Sequence, residues 1–369
     1  MPGHALRASG NVTGQTAWIE SLTPWPEEFG LGRMLELLAE LDEPQRAYRT
    51  VHVVGTNGKS TVTRRAAAFL GREGIRAGAY TSPHVSGWSE RIQVDGEGVD
   101  FDAAIGRVRN PAERLGATQF EALTAAALAE FADAGVDVAV VEAGLGGRLD
   151  ATNVLDAEIV ALTNVALDHT DVLGKTRDEI AREKLAVVKP GATVVIGEPE
   201  WETLAHERGA ARIIHSDDVG RAAAEQLLGR RLSGDVDVDL PGRLDVVGDD
   251  VFAGAHNPAG VEWLVARLPR SDYVVCAAIL ADKDARSMLA TLARVGSRFI
   301  ATGVDTERAL RPDELADLAR EFFADVESVP DATRALERAR ELARPGRAVL
   351  VTGSLYLLRD LFRWLEPVR

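Results

Sequence analysis

Cysteine is almost absent from this chain of 369 residues: Cys276 stands alone. That excludes a disulfide within the chain and a cysteine metal cluster. Its neighbours Tyr273, Val274, Val275, Ala277, Ala278 and Ile279 read as a strand in which a thiol is a small hydrophobe. Aromatic residues make up only 5% of the chain. Positive charge is also short, with 42 Lys and Arg against 57 Asp and Glu, a net charge of −15. This balance argues against nucleic acid or an anionic membrane surface as a partner. Local lysines and backbone amides can still hold an anionic nucleotide. No apolar run reaches the ~18 residues of a membrane span. The N-terminus, with His4 and Arg7 and no long apolar core, does not read as a signal peptide, so a cytoplasmic location is expected.

What is present is ordinary for a globular enzyme: 46% hydrophobic and 27% charged residues. The length suits two domains. The chain is organised around residues 51–63, Val-His-Val-Val-Gly-Thr-Asn-Gly-Lys-Ser-Thr-Val-Thr. β-Branched residues open it as a buried strand. Two glycines turn it, and an alanine-rich helix follows over 64–70. Strand, glycine turn, lysine, hydroxyl and helix together build a phosphate cradle: backbone N–H groups of Gly55, Thr56, Asn57, Gly58, Lys59, Ser60 and Thr61 would face an anion at a helix N-terminus. Lys59 would reach the outer phosphates of ATP, and the Ser60 hydroxyl would ligate Mg²⁺. The strict G-x-x-x-x-G-K-[ST] pattern is not met, since Val53 stands where its first glycine belongs.

Further candidates lie just past other expected strands. An amphipathic helix is expected over 31–41, after an irregular 1–26. A strand over 75–80 leads to Ser82, which reads either as a cation ligand or as a turn serine. A helix over 117–134 precedes a strand over 136–141 that ends on Glu142, beside the glycine-rich loop 143–153. A carboxylate there is well placed for Mg²⁺. The strand 159–163 leads to His169, which could bind metal or simply bond to backbone in a packed loop. Lys184, next to Leu185, Ala186, Val187 and Val188, either snorkels to solvent or sits desolvated and able to react with CO₂. A strand follows at 194–196. Such repeated units imply a parallel sheet covered by helices on both faces. The pattern weakens from about Gly220, and the acidic stretch 233–239 suggests a flexible linker. A second alternation follows: strands near 251–252 and over 273–279, 298–302 and 348–352, with helices from 258, over 285–292, 312–323 and 332–343, and from 355. The expected fold is therefore α/β: a P-loop parallel-sheet ATPase domain over 1–232, a linker over 233–243, and a smaller Rossmann-like domain over 244–369.

Glu142-Ala143-Gly144-Leu145-Gly146-Gly147-Arg148-Leu149-Asp150-Ala151-Thr152-Asn153 is the most specific motif. With it stand Ser82-Pro83-His84, Phe120-Glu121, Glu183-Lys184, Pro241-Gly242-Arg243, Gly254-Ala255-His256-Asn257-Pro258, Asp282-Lys283-Asp284 and Thr352-Gly353-Ser354. Together they resemble the folylpolyglutamate synthase and dihydrofolate synthase family, a branch of the ATP-dependent Mur ligases, from about Gly32 to about Leu358.

The resemblance implies a ligase that spends ATP to join L-glutamate to dihydropteroate or a folate through an acyl phosphate. A Mur-type ligase joining another acid to another amino acid is the alternative. It implies Ser60, Ser82, Glu142, His169 and a carbamylated Lys184 as ligands to two Mg²⁺ ions. Lys59, Lys184 and His256 would serve catalysis, and Arg243 would contact ATP. Thr118, Phe120 and Asp150 would line the pterin pocket. Relatives are mostly monomers, so a monomer is expected. The chain also departs from the family. Ser60 follows Lys59 directly, where the folate branch usually inserts a glycine. Ala253 replaces the usual aspartate before Gly254, and a Gln- and Asn-rich stretch is missing around 221–228.

Overall fold

The computed structural model describes residues 14–26, 28–343 and 346–365, so His4 and Arg7 lie outside the described residues. The chain divides into two compact units. One comprises Met1–Pro83, Trp88–Val165 and Arg177–Val238; the other comprises His84–Gly87, Ala166–Thr176 and Asp239–Arg369.

The first unit opens with α1 (Gly14–Ser21), in a region expected to be irregular, and α2 (Gly32–Glu40). Then come β1 (Arg49–Val54), α3 (Lys59–Arg72), β2 (Ala77–Tyr80), and the short pair β3 (Ile92–Val94) and β4 (Glu97–Gly98). Helices α4 (Phe101–Leu115) and α5 (Gln119–Asp133) lead to β5 (Val138–Glu142) and β6 (Ile159–Leu162). The excursion Ala166–Thr176, carrying α6 (Thr170–Leu173), groups with the other unit. The chain then continues through α7 (Arg177–Lys184), β7 (Thr193–Ile196), α8 (Glu202–Glu207), β8 (Arg212–His215) and α9 (Val219–Leu228).

The sheet order is β4-β3-β2-β5-β1-β6-β7-β8. It is parallel except at β3 and β4, which pair antiparallel at one edge. β1 and β5 lie in the middle, and Thr50–Val54 and Val138–Glu142 are buried throughout. That is why both read as continuous apolar runs rather than alternating ones. α5 is rich in alanine, and ten of its fifteen residues are buried. It packs so closely that a Cβ on Gly78 of β2 would stand 2.6 Å from the Phe131 ring.

The second unit contains β9 (Arg243–Val247), β10 (Asp250–Ala253), α10 (Pro258–Val265), β11 (Tyr273–Ala277), α11 (Ala285–Leu292), β12 (Arg298–Ala301), α12 (Pro312–Ala319), β13 (Asp325–Ser328), α13 (Ala332–Ala343), β14 (Ala348–Thr352) and α14 (Leu355–Leu365). Its sheet order is β13-β12-β11-β14-β10-β9, parallel except for the antiparallel β9. Cys276 is buried in β11, and burial pushes its thiol up to about 12, consistent with an inert strand residue.

The stretch expected to be a flexible linker is instead bound over its first half. Arg221 donates to the carbonyls of Leu232 and Gly234, and Arg65 donates to the Val236 carbonyl and the Asp218 and Asp235 carboxylates. The guanidiniums of Arg65, Arg72 and Arg221 all lie over the buried Phe69 ring, 4.9–5.4 Å from its centroid. The expected linker end, residue 243, begins β9. Among the described residues no helix is long and apolar enough to cross a membrane.

Candidate active site

In the first unit the candidate residues gather where β2, β5 and β1 end. β1 runs into Gly55, whose φ is +147° and whose hypothetical Cβ would stand 1.9 Å from Thr163 Oγ1, so no side chain fits there. Gly58 adopts a left-handed conformation at φ +79° and forms the N-cap of α3. Lys59 donates from Nζ to the Thr56 carbonyl at 3.2 Å.

One expectation needs correction. The amides of Thr56 and Asn57 do not face outward toward an anion. They donate to the backbone oxygen and to Oδ1 of Asn164, at 2.9 and 3.0 Å. The Asn164 carboxamide returns a bond from Nδ2 to the Asn57 carbonyl at 3.1 Å, and Thr163 Oγ1 donates to the same carbonyl at 2.7 Å. The first α3 amide to bond within its own turn is that of Val62, to Gly58. The amides up to Thr61 precede that first intrahelical bond, the place at which a helix N-terminus can receive an anion.

Glu142 is 2% exposed at the end of β5. Its Oε1 accepts from the Ser60 hydroxyl at 3.2 Å, and its Oε2 accepts from the Ser82 amide at 3.1 Å. The carboxylate thus joins the first turn of α3 to the chain after β2. Lys184, the last residue of α7, does not snorkel: it is 4% exposed and donates from Nζ to the Gly55 carbonyl at 2.7 Å. Its place is set by the glycine-rich loop, where Gly147 lies so near that a Cβ would stand 2.6 Å from the Lys184 carbonyl. Arg148 adds an ion pair to Glu183 at 3.0 Å.

The three expected pocket residues have structural duties. Thr118 caps α5 in a capping box with Glu121, and its hydroxyl also donates to the Glu121 carboxylate. Asp150 is 6% exposed and accepts from the Leu145 amide and from the Thr152 amide and hydroxyl, which folds the glycine-rich loop back on itself. Burial raises its pKa, against those bonds. Thr152 in turn accepts from buried His52 at 2.8 Å. Phe120 is half-buried over Gly144, where a Cβ would meet its ring at 2.5 Å. Of the three, only Phe120 keeps its side-chain chemistry uncommitted to the fold's own hydrogen bonds.

The second unit holds its own cluster, centred on Asp168. Its carboxylate accepts from Lys283 Nζ at 2.5 Å and from the Asn257 carboxamide at 2.8 Å. Burial would raise the Asp168 pKa, but the positive charge of Lys283 overrides it and holds the group well below the usual carboxylate range. His169 adopts a left-handed backbone and places Nε2 3.3 Å from Lys283 Nζ. Burial brings its pKa down to about 4. His256 Nδ1 is 2.9 Å from the Gly254 carbonyl and carries its proton there, so Nε2, 3.8 Å from Asp168, holds the lone pair. Burial, chiefly, lowers its pKa, while Asp168 pulls the other way. Arg243 opens β9 opposite Ala253, where the ladder is bulged, and its charge also acts on His256. Ala253 is buried in the apolar core with Val251 and Val261.

Asn164 and Asp168 carry no expected role from the sequence, and Asn257 and Lys283 stand there only as parts of motifs. The available signal was the run Thr163-Asn164 to Asp168-His169 directly after a strand, and the Asp282-Lys283-Asp284 alternation. No group of three or more His, Cys, Asp or Glu side chains set to hold a metal occurs among the described residues. The first unit does offer hard oxygen donors in Ser60, Ser82 and a buried carboxylate. A short protein ligand set of this kind fits Mg²⁺, which keeps waters and takes its remaining oxygens from phosphate.

Two families match the chain: the Mur ligase middle domain over residues 53–216, and the Mur ligase glutamate ligase domain over 242–355. The dihydrofolate synthase/folylpolyglutamate synthase of Escherichia coli is 29% identical, the match covering 98% of this chain and 97% of that protein. The folylpolyglutamate synthase of Lacticaseibacillus casei is 30% identical over 94% and 97%. Among solved structures, Mycobacterium tuberculosis folylpolyglutamate synthase complexed with ADP superposes with a TM-score of 0.88 at 28% identity, covering 96% and 97% of the chains. A bifunctional folylpolyglutamate synthase/dihydrofolate synthase with Mn, AMPPNP and L-glutamate bound gives 0.82 at 28% identity, covering 95% and 96%. The chain belongs to the dihydrofolate synthase/folylpolyglutamate synthase family of Mur ligases.

Proposed function

We propose that this protein is an ATP-dependent ligase that joins L-glutamate to dihydropteroate, to a reduced folate, or to both, acting in the cytoplasm as a monomer. The observation that carries the proposal is the convergence of Lys59, Ser60, Ser82 and Glu142 around one glycine turn, with buried Lys184 reaching the same turn. Phosphoryl transfer asks little covalent chemistry of a protein, so positioning and charge neutralisation supply most of the rate.

An oxygen of the acid's carboxylate attacks the γ-phosphorus of ATP, and ADP leaves. The glutamate amine then attacks the acyl carbon, and phosphate leaves with the carboxylate oxygen that had bridged it. First-turn amides of α3 and Lys59 hold the outer phosphates. Ser60, Ser82 and Glu142 would hold Mg²⁺ in the first unit, and His169 is a separate candidate metal ligand within the second unit. The ion supplies Lewis-acid neutralisation of charge on the transferred group. Arg243 serves the nucleotide. His256, neutral with its Nε2 lone pair available, acts as a hydrogen-bond partner or base toward the acyl-transfer step. Lys184 is the residue for carbamylation: its neutral amine adds to CO₂ and loses a proton, turning a buried cation into an anion for a second metal site. Phe120 offers an aromatic face to the pterin ring.

The test is an ADP-release assay with ATP, Mg²⁺ and L-glutamate, in which the acid is dihydropteroate, tetrahydrofolate or an unrelated carboxylic acid. ADP should appear only with a pterin-bearing acid, together with a glutamylated product. Turnover confined to unrelated acids or to another amino acid would overturn the proposal in favour of a different Mur-type ligase.

A further inference from the structure

We infer that Asn164 is a positioning residue for nucleotide binding, acting as a bracket that sets the shape of the phosphate loop and, through it, the place of Lys59. The inference rests on the reading of residues 55–61 as the ATP-phosphate loop. Between Gly55 and Gly58 the backbone has two glycines and no regular structure to fix it. Asn164 makes three bonds to that short span. Its backbone oxygen takes the Thr56 amide, Oδ1 takes the Asn57 amide, and Nδ2 gives to the Asn57 carbonyl. A planar carboxamide can serve an N–H and a C=O of one residue together, through separate acceptor and donor atoms, and an ionised carboxylate, which only accepts, cannot.

Lys59 is held by the same arrangement. Its Nζ donates to the Thr56 carbonyl, so the ammonium is placed by a peptide whose other side is tied to Asn164. The bracket itself is anchored one residue on. The Val165 amide donates to Glu198 at 2.8 Å, and the Val165 carbonyl accepts from Arg177 at 2.8 Å. A loop fixed before the nucleotide arrives loses less entropy on binding. With the Thr56 and Asn57 amides already engaged, phosphate recognition falls to the first turn of α3 and to Lys59.

The experiment compares the wild-type chain with Asn164→Ala, Asn164→Asp and the near-isosteric Thr163→Val, which removes only the hydroxyl bond to the Asn57 carbonyl. ADP affinity is measured by calorimetry with Mg²⁺ present, beside steady-state KM values for ATP, acid and glutamate and the thermal midpoint. Two lost hydrogen bonds correspond to about a tenfold weaker ADP affinity for Asn164→Ala, and one to roughly threefold for Thr163→Val. Asn164→Asp should weaken ADP more than alanine does, because a carboxylate would face the Asn57 carbonyl and the phosphates. The KM for ATP should rise in the same order, with the KM values for acid and glutamate unmoved. ADP affinity within twofold of wild type in Asn164→Ala would overturn the inference, as would a parallel shift of all three KM values following a fall in the thermal midpoint. If the alanine variant does not fold, Thr163→Val carries the test by the same criteria. A wild-type chain that fails to bind ADP contradicts the proposed function instead.

Discussion

The Lys283 ammonium lies 2.5 Å from the Asp168 carboxylate, 115 positions earlier in the sequence, and both side chains are almost fully buried. Removing Lys283 leaves the buried Asp168 charge without its lysine, which costs ~3–5 kcal/mol in comparable pairs, whereas removing Asp168 leaves Lys283 with Asp282 at 3.3 Å. Lys283→Met should lower the stability of the second unit in urea denaturation by an amount of that order, and Asp168→Asn by less. The double variant should fall short of the sum, since neither charge is then left alone. Equal and additive small effects would mean that the pair is not a buried unit.

Because Asp168 and Val85 belong to the second unit, that unit is not encoded by the C-terminal stretch alone. Val85 packs with Leu355 and Leu358, and Asp168 satisfies Lys283 and Asn257. A fragment of residues 239–369 should therefore lack a sharp thermal transition by circular dichroism. A cooperative transition matching the full chain's would contradict this.

Gly147 presses on the end of the helix that carries Lys184. A Cβ there would meet the Lys184 and Glu183 carbonyls at 2.6 and 2.8 Å, and neither backbone can yield without moving Lys184. Gly147→Ala should cost ~1–3 kcal/mol of stability and reduce kcat more than Gly71→Ala. Gly71 lies in a helix with nothing within 4 Å of its would-be Cβ, so alanine there should be neutral or stabilise by up to about 1 kcal/mol. Paired kcat and denaturation measurements on the two variants check this.

Three histidines give the stability a pH dependence of fixed sign. Burial lowers the pKa of His52 from 6.5 to about 3 and that of His169 to about 4, and it lowers that of His256 as well. Each binds a proton more readily unfolded than folded, so its contribution is complete above the unfolded value and is lost as pH falls toward the folded one. The urea midpoint should be level above about pH 7 and fall steadily down to about pH 4. His52→Gln, which cannot titrate, should flatten part of that slope. A midpoint that rises on acidification would show the histidines charged in the folded protein.

The strands that form the middle of each sheet were legible because burial on both faces leaves unbroken apolar runs, as in Val138–Glu142 and Ala348–Thr352. The edge strands were not. Arg212–His215 and Asp325–Ser328 carry polar, partly exposed side chains and present no such run. α4 went unread because Gly106 and Pro111 interrupt it, although Ile105, Val108 and Ala112 mark its buried face. The linker's acidity suggested flexibility, yet those same charges meet Arg65 and Arg221. In the site, local motif chemistry marked the glycine turn with Lys59 and Ser60 and the strand end at Glu142, and it left the burial of Lys184 open. The direction of the Thr56 and Asn57 amides was not legible, since it depends on Asn164, more than a hundred residues away. The pairing of Asp168 with Lys283 was hidden for the same reason.

The most direct test of the ligase chemistry follows the carboxylate oxygens. Dihydropteroate or tetrahydrofolate labelled with heavy oxygen in its reacting carboxyl group is incubated with ATP, Mg²⁺, L-glutamate and the protein, and the released phosphate is analysed by mass spectrometry. Activation through an acyl phosphate predicts one heavy oxygen in each phosphate formed, in step with the glutamylated product. Phosphate without label, or ADP formed with no amide product, would contradict the account.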